Sequence, residues 1–166
     1  MRKLLFTFVM TAFFTIFSMA LFGQTMNSYE SEHYIVHSEL GADHAETSAE
    51  KMEAFYTLFQ DYFHFPSEEL NDPLKVKIFK EKSSYDSYIK SIISETRESF
   101  VFLHYGNKPE KSELVAFLTE DPELFSKRLI HHGFIQYFKS FIPNPPLWLQ
   151  KGFAVYFENS RYNDSK

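Results

Sequence analysis

His131 and His132 stand side by side in the run Leu129-Ile130-His131-His132-Gly133-Phe134-Ile135-Gln136-Tyr137, and of all residues in the chain they come nearest to metal chemistry. Two imidazoles on one helix converge on an ion when they are four residues apart, because positions i and i+4 share a face. Adjacent residues project about 100° apart, so His131 and His132 do not converge. Four residues after His131 stands Ile135, which has no donor. His33 and His37 share a strand face, but about 13 Å separates them at ~3.3 Å per residue, too far for one ion. His44 and His64 fall at helix ends and His104 near a hairpin, where structural roles explain them. Glu46, Glu50 and Glu53 follow at spacings of four and three, which a solvated helix face accounts for. No Ser or Thr has a neighbouring His–acid arrangement, and the five glycines form no phosphate-binding loop.

Short strands interleaved with helices must position these residues. The alternation at Tyr34 to His37 predicts a strand, preceded by the polar lead Asn27 to Ser31. Ala49, Met52, Phe55, Tyr56, Phe59 and Phe63 recur at spacings of three and four and predict one amphipathic helix from about Asp43 to His64. Leu74 to Phe79 alternates as a strand, and Ser83 or Ser84 is expected to cap a helix reaching about Ile93. Phe100 to Tyr105 and Glu113 to Leu118, joined across Gly106-Asn107-Lys108-Pro109, are expected to pair as an antiparallel hairpin. Asp121 as N-cap and Pro122 at the first position open a helix to Phe141. After Pro143-Asn144-Pro145-Pro146 a last helix runs to about Asn159. The order β-α-β-α-β-β-α-α predicts an α+β domain with a mixed or mostly antiparallel sheet, ending in two adjacent helices.

The chain has 166 residues, no cysteine, 22 acidic against 17 basic side chains and a formal charge of −5. Disulfides, thiolate metal sites and cysteine nucleophiles are excluded. The absence of a basic excess argues against nucleic acid as a partner. Arg2 and Lys3 precede an uncharged run from Leu4 to Phe22, with small residues at Ala20 and Gly23, the pattern of a secretory signal. Its length also suits an uncleaved membrane anchor over residues 4–22. Cleavage after Gly23 leaves 143 of the 166 residues and, with Arg2 and Lys3 gone and no acid lost, a charge of −7 in place of −5. The expected organisation is a signal over 1–23 and one domain over 24–166, exported to the periplasm or the cell exterior.

The last two helices carry a resemblance. The run from Leu129 to Tyr137, followed by Pro146-Leu147-Trp148-Leu149-Gln150-Lys151-Gly152-Phe153-Ala154-Val155-Tyr156-Phe157-Glu158, resembles the paired active-site helices of gluzincin metallopeptidases, and most closely the peptidase-MA-like family. In that family the first helix carries H-E-x-x-H-Q and the second a Pro-Trp-Leu-x-Glu-Gly-x-Ala-x-Tyr-like run. Two His and a Glu from the second helix hold Zn²⁺, and the Glu beside the first His is the general base on the metal's water. Matched position by position, His131 stands at the first zinc His and Gln136 at the Gln of the motif. His132 replaces the general base, Ile135 the second His and Lys151 the ligand Glu. Trp148, Leu149, Gly152, Ala154, Tyr156, Phe157 and Glu158 follow the pattern. The likeness spans about Tyr29 to Asn159; where the family continues into a helical C-terminal part, this chain ends with Ser160 to Lys166.

The resemblance implies a zincin-like N-terminal part with vestigial positions at His131, His132, Ile135 and Lys151, no catalytic residue and no metal or other cofactor. Lys151 is then either an ammonium in the vacated metal space, bridging the helices through His131 or Glu158, or a solvated helix residue. A pseudo-peptidase with a binding or structural role is the implied function, with an extended peptide or protein at a sheet edge as the partner. The alternatives are an active zinc peptidase with an atypical ligand set, or a truncated remnant without activity. Metal analysis separates the first two.

Overall fold

The computed structural model describes residues 26–160 apart from Asn71 and Thr96. The segment read as a signal or anchor lies outside the described residues, among which no helix is long and apolar enough to cross a membrane. The fold is α+β: a mixed five-stranded sheet with four α-helices among the described residues.

The strands are β1 (Asn27–Glu30), β2 (Tyr34–Ser38), β3 (Leu74–Phe79), β4 (Phe100–Leu103) and β5 (Glu113–Phe117), in the order β1-β2-β3-β5-β4. β2, β3 and β5 run parallel, and the two outer strands are antiparallel to their neighbours. The expected hairpin forms, with Phe100 opposite Ala116 and Leu103 opposite Glu113. β5 is nevertheless an inner strand, so of the two only β4 lies at an edge of the sheet among the described residues. The lead Asn27 to Ser31 is also a strand over four residues, all exposed, which no alternation could announce. Pairing with β2 holds it in place, helped by a hydrogen bond between Ser28 Oγ and His37 Nδ1 at 2.7 Å.

The helices are α1 (Ala42–Phe63), α2 (Lys82–Ile92), α3 (Pro122–Phe141) and α4 (Leu147–Glu158). α1 begins after Gly41, whose φ of 110° suits glycine, and ends on His64 in the left-handed region. The cap of α2 differs from expectation: Glu81 is the N-cap and makes no side-chain capping bond, so Ser83 and Ser84 lie inside the first turn. At α3 the expected cap is present, Asp121 accepting from the backbone N–H of Glu123 and Leu124.

Alternation along the strands sorts the core onto two faces. Val36, Val76, Ile78, Leu114 and Ala116 meet α1, α3 and α4 on one face, while Phe79 and Val115 meet Tyr85 and Ile89 of α2 on the other. The larger core is largely aromatic. Phe59 packs edge-on to Phe134 and Phe157, and Phe63 meets Phe138 and Phe153, so α1, α3 and α4 close around one cluster of rings. Gly133 sets how closely α3 meets α1: a Cβ there would stand 3.0 Å from Met52 Cε. That approach explains a glycine in mid-helix, where it is about 1 kcal/mol less favourable than alanine.

Candidate functional site

α3 and α4 lie against each other and bring one sequence-predicted pair together. His131 Nδ1 donates to Glu158 Oε2 at 2.5 Å, with side chains 22% and 28% exposed. His132 turns toward the sheet. Its Nδ1 is 2.9 Å from Arg128 O, so Nδ1 carries the proton, since a carbonyl only accepts. Its ring stacks on Phe100 of β4. Burial pushes its pKa down to about 4, so it is neutral at pH 7.

Lys151 does not bridge the helices. It is exposed and makes no ion pair among the described residues, and Glu158 takes His131 instead. The reason lies along α4: Lys151 and Glu158 are seven residues apart, about 10 Å at 1.5 Å per residue, so only one of them meets His131.

Do these residues suit zinc? A zinc site takes at least three converging protein donors. Here His131 and Glu158 are joined to each other, Ile135 offers no donor and Lys151 lies in solvent. Among the described residues no group of three or more His, Asp or Glu is arranged to hold a metal ion. The residues do not fit the metal.

The carboxylate row on α1 also departs from expectation. Glu46 and Glu50 are exposed, but Glu53 is a hub. Glu53 Oε1 accepts from Ser31 Oγ at 2.6 Å and from the backbone N–H of His33 at 2.7 Å, and Oε2 accepts from His33 Nδ1 at 2.7 Å. These bonds outweigh the opposing effect of burial, and its carboxyl titrates below the usual range. The His33 ring stacks on Tyr56 at 3.8 Å between centroids. The cluster fastens the β1–β2 turn to α1. His44 is likewise structural, sharing hydrogen bonds with Ser38 and Ser48 at the start of α1.

Sequence reasoning missed a cavity of about 180 Å³ between the end of β4 and the second half of α3. Leu70, Leu74, Phe102, His104, Gln136 and Lys139 are among its walls. Gln136 is 1% exposed and its Nε2 donates to Lys75 O at 2.9 Å, while Oε1 has no hydrogen bond among the described residues. An unpaired buried acceptor is destabilising by about 1–3 kcal/mol. Burial and the Lys139 ammonium lower the pKa of His104. Gln136 and His104 were both visible in the sequence; that they line one cavity was not.

No family model matches the chain, and no curated protein is significantly similar to it.

Proposed function

We propose that this is an exported, catalytically inactive relative of gluzincin metallopeptidases, whose zincin-like fold binds an extended peptide or protein segment along the outer edge of β4. What supports the reading is the donor set on the motif helices: one His tied to a Glu, one neutral His stacked on Phe100, an Ile and a solvated Lys. Beside it β4 is an outer strand of the sheet among the described residues, and strand addition to such an edge needs main-chain hydrogen bonds and no metal.

Incubating the protein with a mixture of unstructured peptides, with added zinc or with chelator, tests both halves. The expected result is no chelator-sensitive cleavage, together with slower amide exchange over Phe100–Leu103. Cleavage that needs zinc and disappears in His131→Ala overturns the reading in favour of an active metallopeptidase.

A further inference from the structure

We propose that the outer face of α4 is a two-fold interface between two copies of this chain, in which Trp148 of each copy packs into the groove beside Gly152 of the other. It goes beyond the peptide-binding reading and needs neither a peptide nor the β4 edge.

A helix on a protein surface turns a polar face outward, whereas one that is apolar all round is covered on every side. α4 is of the second kind. Ala154 and Phe157 are buried in the aromatic core, yet Leu147, Trp148, Val155 and Tyr156 stand 49–74% exposed. Among the exposed residues of α4 only Lys151 is charged. Tyr62 of α1, also exposed, extends the patch, its ring 6.0 Å from that of Tyr156. An apolar surface of this extent marks a place where something docks.

The spacing along α4 says what docks there. Trp148, Gly152 and Tyr156 follow one another at intervals of four, on one row of the helix with the glycine midway. A Cβ on Gly152 would meet nothing within 4 Å, and Leu149 and Phe153 complete an apolar groove of about 280 Å³ between the two rings. When a second α4 crosses antiparallel at Gly152, the position four before the glycine on one copy faces the position four after it on the other. Each Trp148 then meets Tyr156 of the other copy, twice over, which is the self-complementarity that a two-fold contact requires. Knob and hole on a single patch match a second copy. Lys151 lies to one side of the row, and its long stem keeps the ammonium in water.

The area is sufficient. At about 150–250 Å² for a whole aromatic side chain, the exposed parts of Tyr62, Trp148 and Tyr156, with Leu147 and Val155, amount to roughly 600 Å² per copy. Roughly 1,200 Å² for the pair reaches the lower end of specific interfaces, so a dimer that dissociates on dilution is expected.

The test is sedimentation velocity of the purified full chain over a concentration series, with the emission of Trp148, the one tryptophan of the sequence, followed across the same series. The expected result is a monomer–dimer equilibrium in which the emission moves to the blue as the dimer fraction grows. In Gly152→Lys the new side chain finds open space in the monomer but meets its own copy across the two-fold. Association is expected to weaken at least about thirty-fold, as at an interface hot spot, with the circular dichroism unchanged and the Tm no lower. Trp148→Ser is expected to weaken sedimentation-detected association to a similar degree. A monomer at every concentration, or association that both variants leave intact, overturns the proposal. So does emission already blue in the dilute monomer, which would show the face covered by the chain itself. A blue shift that appears with phosphatidylcholine–phosphatidylglycerol vesicles and not with protein concentration overturns it in favour of a lipid surface.

Discussion

His33 on Glu53 and His131 on Glu158 are the same contact, ring Nδ1 to carboxylate at 2.7 and 2.5 Å, in two settings. At the first, the carboxylate also accepts from Ser31 Oγ and a backbone N–H, and the imidazole stacks on Tyr56. At the second, the pair spans two helices that aromatic packing already holds together, and among the described residues Glu158 has only a long further contact to Asn159 at 3.5 Å. The pair in the motif-like helices is thus the plainer of the two. The pair on the helix face read as solvated does more for the fold. Partner number, not resemblance to a motif, decides how much such a pair contributes.

That contrast sets the sizes of the expected effects. Glu53→Ala removes three hydrogen bonds to one carboxylate and is expected to lower unfolding free energy by about 3–4 kcal/mol in chemical denaturation. A loss below about 1 kcal/mol would erase the distinction between the two pairs. The next largest effect is a pH dependence. His132 is held neutral down to about pH 4, whereas in the unfolded chain it takes up a proton near pH 6.5. The unfolded state therefore binds protons first as pH falls, and stability drops between about pH 6.5 and 4, by about 2 kcal/mol after discounting for partial exposure. His132→Phe, which keeps a ring against Phe100, should flatten that part of the profile. Glu53 acts in the same direction lower down, its contribution being present above its unfolded pKa and lost as pH falls through the lower folded one.

Smaller changes follow at the motif positions. His131→Ala is expected to cost about 1 kcal/mol, the scale of a partly exposed pair, with no loss of fold. Lys151→Ala should stay within about 0.5 kcal/mol of the parent, since the side chain is solvated. A larger loss there would mean that Lys151 braces α4 after all.

The sequence announced elements whose signals are local. Asp121 and Pro122 mark the start of α3 because cap and first turn are adjacent in the chain. The apolar spacing along α1 named the face that is buried, from Ala49 to Phe59. β1 escaped because four exposed residues carry no pattern and only pairing defines them. Glu53 escaped because Ser31 and His33 reach it from 22 and 20 residues away, and periodicity says which face a residue occupies, not what arrives there. The cavity escaped for the same reason, Gln136 meeting Lys75 across 61 residues. At the motif helices the sequence supplied the residues, but only the α3–α4 packing decided between Lys151 and Glu158 as the partner of His131.

On the proposed reading the motif-helix residues form a structural pair and not a metal centre. Native mass spectrometry of the purified protein, equilibrated with one to two equivalents of Zn²⁺ and then desalted, tests it most directly. The expected spectrum is that of the unmetallated chain, the same for the parent and for His131→Ala. One retained zinc per chain that is lost in His131→Ala would show a metal centre at these helices instead.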